Sequence, residues 1–313
     1  MVLVLHEYFR NLFPDDPHIT FKVKNPIKRI ADLQKQLISF LELTNNFGSY
    51  NLKFSKNKKK ELKIETGIVY GNFWKKFSKK ENLNSKKYIL ERFKNFKSFK
   101  KNFFKNKSVI DVGCGGGRYS NALILLGAKK VVGIDYGDNG LKLAKSSYKS
   151  KNLSFEKQNV LNIKHKDNSF DIVYSNGVIH HTRDLKKGIK ELVRICKPGG
   201  YIYLYLYGQG GIYWNARKKM NNLMKEIPQN YSQNVLDLIG MPYNRFIFMD
   251  NWYVPIEKHP SHKEVYKIIN SCNVNNIEKM ISGRSTDLET GLKKYIGSKI
   301  IWGEGEIRLL ITT

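Results

Sequence analysis

The chain has 313 residues, of which 41% are hydrophobic and 12% aromatic, so its composition supports a packed core and excludes overall disorder. Its formal net charge of +28 suits a nucleic-acid surface, but only ten of the 55 basic residues are arginine. Lysine together with abundant Asn, Ile, Tyr and Phe is typical of an A/T-rich genome, and we favour that explanation of the charge. No apolar run reaches the roughly 18 residues of a transmembrane helix.

The three cysteines follow neither a disulfide nor a metal-binding spacing, which favours a reducing compartment. The apolar start of the chain is too short for a signal segment, so we expect a cytoplasmic protein. His259 and His262 form an H-x-x-H pair, but no third ligand accompanies them and Ser261 begins a helix between them. We therefore expect no bound metal.

Residues 1–64 predict an N-terminal extension that ends in a basic linker. Residues 30–43 carry apolar side chains at helical spacing, and the run 56–60 is nearly all lysine. Residues 53–107 contain 19 basic and only four acidic residues. The aromatic residues in this basic region predict either a lid packed on the main domain or a nucleic-acid surface, and we favour the lid. They are Tyr70, Phe73, Trp74 and Phe77.

From residue 108 the pattern alternates between strands and helices, which predicts an α/β fold with a doubly wound, mostly parallel sheet whose last strand is antiparallel. Strands are predicted at 108–112, 130–134, 153–156, 171–174 and 201–207, and helices at 119–126, 141–148 and 185–195. Residues 209–257 are rich in aromatics and predict an insertion that caps a substrate. A capping box at Ser261–Glu264 then opens a helix through Ile269, and strands near 276–280 and 306–311 complete the sheet. The main domain is thus predicted to span residues 65–313.

A turn rich in glycine joins the first strand to the first helix of this pattern. Asp111 is followed by Gly113, Gly115 and Gly117. Glycines at such a turn allow the backbone to approach a ligand closely. The spacing differs from the G-x-G-x-x-G fingerprint of dinucleotide-binding domains, so a dehydrogenase is the least favoured function.

Polar residues follow the other predicted strands, where an open parallel sheet binds its ligands. Asp135 can accept hydrogen bonds from both hydroxyls of a ribose. Its alternative role, as a helix cap, is weaker because Asp138 is better placed for a cap. His181, with His180 second, is a candidate general base, although His181 can equally pack within its turn. The further candidates at these strand ends are Tyr136, Asn159, Val160, Ser175 and Asn176.

In this order and spacing, the motifs resemble those of class I S-adenosylmethionine-dependent methyltransferases, in the subgroup related to ubiquinone and menaquinone biosynthesis. Val178–Thr182 and Lys197–Gly200 add to the resemblance, which covers residues 65–207. It implies a Rossmann-like fold and S-adenosylmethionine as cofactor. The glycine turn would hold the methionine part, Asp135 the ribose, and residues 159 and 160 the adenine. Family members usually carry an acid where this chain has Asn159, whose amide oxygen can also accept from the adenine amino group.

The leading hypothesis is methyl transfer to an oxygen, nitrogen or carbon atom of a small or medium-sized molecule under the insertion. A tRNA or rRNA methyltransferase that uses residues 53–107 is the second hypothesis, and a non-catalytic cofactor-binding protein the third. Against RNA, the fourth strand is followed by Ser-Asn-Gly-Val, whereas enzymes that methylate base amines carry Asn/Asp-Pro-Pro-aromatic there. The oligomeric state stays open. Candidate substrate residues are Tyr70, Trp74, Tyr213, Asp250, Tyr253 and His259.

Overall fold

A computed structural model describes residues 35, 69–71, 74, 83, 85–224, 227–238, 245–280 and 298–313. The helix predicted over residues 30–43 lies outside these residues except for Lys35, and the basic linker lies entirely outside them. Phe73 and Phe77 lie outside them as well. Apart from Lys35, the described residues belong to one compact unit.

Seven strands of the described chain form one sheet in the order β3-β2-β1-β4-β5-β7-β6. Strands β1 to β5 pair in parallel, and β7 runs antiparallel to both of its neighbours. The predicted doubly wound sheet with an antiparallel last strand is therefore confirmed. The strands are β1 Ser108–Val112, β2 Lys130–Asp135, β3 Leu153–Lys157, β4 Phe170–Asn176, β5 Cys196–Tyr207, β6 Asn276–Lys279 and β7 Glu306–Thr312.

Helices cover both faces of the sheet, and three of them, α5 to α7, lie within the predicted insertion. The helices of the described residues are α1 Lys86–Asn95, α2 Arg118–Leu125, α3 Asp138–Ser147, α4 Leu185–Ile195, α5 Gly211–Met224, α6 Gln229–Leu238, α7 Arg245–Tyr253, α8 His262–Asn270 and α9 Ser298–Trp302. A 3₁₀ turn, Ile179–His181, follows β4. None of the described helices is long and apolar enough to span a bilayer.

Two of the predicted helix caps have different outcomes. Ser261 caps α8 as predicted, because its Oγ accepts a hydrogen bond from the backbone N–H of Glu264 at 3.0 Å. The prediction that Asp138 caps α3 was wrong. Gly137 is the cap residue, and Asp138 is the first residue inside the helix, where its carboxylate lies 2.7 Å from Nζ of Lys157.

Most of the core of the described residues lies in two apolar layers, one on each face of the sheet. On one face α4 packs Ile189 and Leu192 against the strands, because these residues recur at helical spacing on one side of the helix. On the other face α1 and α2 bury Phe93 and Leu123. Each such side chain stabilises the fold by about 1.5–3 kcal/mol. The strands are therefore held rigidly, and so are the polar residues at their carboxyl ends.

Candidate active site

A cavity of about 740 Å³ opens at the carboxyl ends of β1, β2 and β4. Its size lies within the range of about 300–1,000 Å³ that is usual for small-molecule sites. The predicted site residues that line it are Tyr70, Trp74, Gly113, Gly115, Asp135, Tyr136, Asn159, Val160, Asn176 and His181.

The glycine turn follows β1 and is fastened to the end of β2. The backbone N–H groups of Gly113 and Cys114 both donate to the carbonyl oxygen of Ile134, at 2.8 and 3.0 Å. Gly117 has a φ of +77°, and a Cβ there would lie 2.7 Å from Cζ of Phe155. Gly117 does not line the cavity. Its lack of a side chain instead lets α2 begin directly against β3.

Asp135 connects the end of β2 to this turn. Its Oδ1 accepts from the N–H of Gly137 at 2.7 Å, and its Oδ2 accepts from the N–H of Gly115 at 2.8 Å. Burial raises the pKa of Asp135, although these backbone donors oppose the rise. Each carboxylate oxygen has a second lone pair, so the group can still accept from two hydroxyls of a ligand.

Asp111 and Ser175 are buried behind the cavity and do not line it. Asp111 is 2% exposed, and its Oδ2 accepts from Oγ of Ser120 at 2.6 Å, which joins the end of β1 to α2. Burial raises the pKa of Asp111 to about 7. The side chains of Asp111 and Ser175 therefore lie behind the residues that line the cavity.

The segment after β3 is a tight loop shaped by its own amide side chains. Oδ1 of Asn159 accepts from the N–H of Leu161 at 2.8 Å, and Oε1 of Gln158 accepts from the N–H of Lys164 at 2.8 Å. Asn159 is exposed at the cavity, and Gln158 and Val160 line it too. The loop can therefore present one side-chain amide and backbone groups to a flat heterocycle.

Two of the four aromatic residues predicted to form a lid, Tyr70 and Trp74, line the cavity. Trp74 packs on Gly115, where a Cβ would lie only 2.7 Å from Cζ2 of the indole. The guanidinium of Arg118 lies 5.4 Å from the same ring. The carbonyl oxygen of Val69 accepts from Nε2 of Gln229, which belongs to the insertion, at 3.3 Å. The lid and the insertion therefore meet at this site.

Of the two histidines after β4, only His181 lines the cavity. Its Nδ1 donates to the carbonyl oxygen of Ile256 at 3.0 Å. Because a carbonyl oxygen can only accept, the lone pair of the neutral ring lies on Nε2, which is 3.4 Å from Oη of Tyr70. His180 is fully buried, and burial together with His181 lowers its pKa well below the ordinary value. His181 therefore has the geometry of a base at this cavity, and His180 does not.

The other predicted substrate residues lie within the insertion and do not line the cavity. Oη of Tyr253 lies 2.6 Å from Oγ of Ser232, and the ring of Tyr213 lies 4.7 Å from that of Trp302. Nε2 of His259 lies 2.7 Å from a carboxylate oxygen of Glu257. These contacts hold the insertion together. Asp250 is also outside the cavity but contacts Tyr70, which lines it.

The sequence did not single out Arg308, which lines the cavity from β7 with only 1% of its surface exposed. Its Nη1 donates to Oη of Tyr203 at 3.0 Å, and its Nη2 lies 2.7 Å from Oε2 of Glu306. The guanidinium stacks 3.9 Å from the ring of Tyr205, whose hydroxyl donates to Glu306. A charged residue inside the apolar run Ile307–Ile311 was the signal that could have found it.

Arg217, on α5, is a second buried residue that sequence reasoning missed. It forms ion pairs with Asp250 and Glu257. The donor atoms of His181, Asp250 and Glu257 lie within 4.8 Å of one another, close enough to hold a metal ion. The guanidinium already pairs with both carboxylates and would repel a cation, so this cluster is built as an internal ion-pair network.

Comparison with known families agrees with this geometry. Residues 110–204, from β1 into β5, match the family model of a methyltransferase domain. This part of the chain is a methyltransferase domain. The matched residues include the glycine turn, Asp135 and His181.

Several curated relatives share this domain over part of their length. The chain is 32% identical over 171 residues to the mitochondrial ubiquinone biosynthesis O-methyltransferase of Dictyostelium discoideum, a match that covers 44% of this chain and 53% of that protein. It is 36% identical over 101 residues to the sterol 24-C-methyltransferase of Aspergillus fumigatus, covering 31% of this chain and 27% of the other. The chain thus spans about half the length, or less, of these relatives. Among solved structures it is similar to an S-adenosylmethionine-dependent methyltransferase from Mesorhizobium loti, with 13% identity, a TM-score of 0.45, and coverage of 67% and 92% of the two chains.

Proposed function

We propose that the whole chain transfers a methyl group from S-adenosylmethionine to a small or medium-sized molecule bound in the cavity. The observation that carries the proposal is that the two ends of one cavity are lined by different groups of residues. Asp135 and the glycine turn lie at one end, and Tyr70, His181 and Tyr207 line the other. A cofactor and an acceptor bound there would lie next to each other, which is what direct transfer needs.

The residues at the first end fit the cofactor by their chemistry. Asp135 would accept from the two ribose hydroxyls, and the backbone at Gly113 leaves room for the methionine part. Asn159 and Val160 would contact the edge of the adenine. When bound, the cofactor supplies a methyl group on a sulfonium sulfur, which is already a good leaving group. The chain therefore needs mainly to orient the acceptor and to exclude water.

The residues at the second end fit these two tasks. Aromatic rings of Tyr70, Tyr205 and Tyr207 line the cavity and would keep water away from the reacting atoms. Where the acceptor loses a proton, Nε2 of His181 would accept it, because Nδ1 already donates to a carbonyl oxygen. The names of the relatives include both O- and C-methyltransferases, so they do not select the acceptor atom.

We favour a small molecule over RNA as the acceptor. His181 is only 7% exposed and Arg308 only 1%, so the acceptor group must enter an enclosed space. A small molecule does so without the cost of unstacking a base. We also propose a cytoplasmic location, which the three free thiols of Cys114, Cys196 and Cys272 support.

A transfer assay with methyl-labelled cofactor tests this proposal. The chain is incubated with extracted metabolites and, separately, with total RNA. We expect label in the metabolite fraction. At a cofactor concentration below saturation, we expect Asp135→Ala to reduce the label at least tenfold while the surface variant Asp138→Ala retains it. Label that enters RNA and is released by ribonuclease would support the RNA alternative instead. Cofactor binding without any labelled product would support the non-catalytic alternative.

A further inference from the structure

We propose that Asp250, a residue of the insertion, is the counter-ion of His181 and stabilises the imidazolium that forms when Nε2 accepts a proton. The proposal rests on the proposed function only in taking the methyl acceptor as the source of that proton. The insertion would then contribute to the chemistry and would not only cover the acceptor. Asp250 would act through His181 and is therefore a positioning residue.

Asp250 is held by three hydrogen-bond donors from three parts of the chain. The hydroxyl of Tyr70, in the lid, donates to Oδ1. The hydroxyl of Tyr207, at the end of β5, donates to Oδ2 at 2.9 Å, and Nη2 of Arg217 donates to the same oxygen at 2.6 Å. The side chain is 6% exposed. Its carboxylate is therefore fixed in position as well as in charge.

These donors also keep Asp250 ionised. Burial by itself would raise the pKa of Asp250, but the positive charge of Arg217 and the hydrogen bonds outweigh burial and hold that pKa below its ordinary value. Burial raises the pKa of Tyr70 and of Tyr207 well above the ordinary value, so both remain protonated donors. A fixed negative charge thus lies beside His181 throughout the neutral pH range.

The imidazole of His181 is oriented toward this charge. Since Nδ1 donates to the carbonyl oxygen of Ile256, Nε2 is the ring atom that can take up a proton. Nε2 lies 3.8 Å from Oδ1 of Asp250 and 3.4 Å from Oη of Tyr70. Once protonated, Nε2 could donate to either oxygen. An opposite charge within about 4–6 Å is sufficient to shift a pKa by a unit or more.

The other charged groups packed around His181 leave this effect in place. Arg217 is positive, whereas Asp250 and Glu257 are negative, so the cluster has one net negative charge before His181 is protonated. His180 lies against His181 with ring centroids 4.0 Å apart, and its lowered pKa keeps it neutral. His259 forms its own pair with Glu257. Protonated His181 would therefore bring the cluster close to electrical balance.

When the acceptor is methylated, its proton moves to Nε2 and the bond between methyl and sulfur breaks as the bond between methyl and acceptor forms. Because the bound cofactor would lose its positive charge with the methyl group, the imidazolium of His181 would be the only new positive charge. Asp250 lies where it can offset that charge. His181 then releases the proton to solvent.

Titration of the His181 ring by NMR tests this role without cofactor or acceptor. The His181 signal is assigned by its loss in His181→Gln. We expect the ring pKa to fall by at least one unit in Asp250→Asn, a tenfold loss of proton affinity. The exposed-carboxylate variant Asp167→Asn should leave that pKa unchanged. A change below about 0.3 units in Asp250→Asn, or a rise, would overturn the proposal.

Tyr70→Phe provides an independent arm should Asp250→Asn fail to fold. It removes one donor from Asp250, so the carboxylate is less stabilised and the ring pKa of His181 should rise. An unchanged or lower pKa in Tyr70→Phe would contradict the proposal. If Asp250 had only a structural role, the ring pKa of His181 would not be expected to fall in Asp250→Asn and rise in Tyr70→Phe. Since this titration is independent of turnover, it can succeed where the methyl-transfer assay fails, and the reverse also holds.

Discussion

Burying the carboxyl group of Asp111 lowers the stability of the fold at high pH, and this effect can be measured. Its carboxyl group is 2% exposed, and the hydroxyl of Ser120 is the side-chain donor that it accepts from. Burial raises its pKa from 3.8 to about 7, and the negative charge of Asp135 adds to the rise. Asn is nearly the same size and keeps an oxygen that can accept from Ser120. Asp111→Asn therefore removes the charge and leaves the packing in place.

The sign of the effect follows from proton linkage. Between pH 3.8 and 7 the folded chain binds a proton at Asp111 that the unfolded chain has already released. The stabilising effect of that proton is complete at low pH, falls as the pH rises through this range, and is gone above pH 7. A shift of about three pKa units corresponds to about 4 kcal/mol. We thus expect Asp111→Asn to be more stable than the unmodified chain at pH 8 by up to about 4 kcal/mol.

Urea denaturation of both chains at several pH values between 5 and 8 measures this difference. The stability difference should widen as the pH rises, because only the unmodified chain must bury a carboxylate at pH 8. Asp138→Asn, at an exposed position, should show no such widening. A stability difference that stays constant over this pH range, or an Asp111→Asn chain that is less stable at pH 8, would refute the claim that burying the Asp111 carboxylate destabilises the fold.

Two further stability predictions follow from local geometry. Gly117→Ala should destabilise the fold by about 3 kcal/mol or more, because the new Cβ clashes with Phe155 and because φ is positive. Gly199→Ala should cost only about 1–2 kcal/mol, because Gly199 has a similar φ of +71° but no atom lies within 4 Å of the new Cβ. Equal losses in urea denaturation would contradict the steric part. Asp184→Ala should cost about 1 kcal/mol, because Oδ1 of Asp184 accepts from the N–H of Lys187 at the start of α4. Thermal unfolding that shows no loss for Asp184→Ala would show that this cap contributes nothing.

The sheet and the cofactor end of the cavity could be predicted because their signals are local. Apolar strands and amphipathic helices alternate with the correct periods, and short turns keep each strand end close to its glycine or acid. Asp135 follows the strand predicted over residues 130–134 and was therefore expected at the carboxyl edge, where it is the last residue of β2. Helix α4 was predicted at its observed bounds, since its apolar residues repeat at helical spacing.

The acceptor end could not be predicted to the same depth. His180 and His181 are adjacent, and which of them faces the cavity depends on the rotation of one 3₁₀ turn, which no pattern specifies. Arg217 and Asp250 lie 33 positions apart on different helices of the insertion. Their ion pair depends on how those helices pack, so residue types alone gave no sign of it. Asp111 precedes the glycine turn, but its side chain points to Ser120 instead of the cavity.

The central claim is that the cavity binds S-adenosylmethionine through Asp135. Calorimetric titration of the chain with this cofactor tests that claim most directly. We expect one binding site per chain. Asp135→Ala should weaken binding about 10- to 100-fold, the value of losing charge-assisted hydrogen bonds, and Asp138→Ala should bind like the unmodified chain. No binding by the unmodified chain, or equal affinity in Asp135→Ala, would contradict the claim.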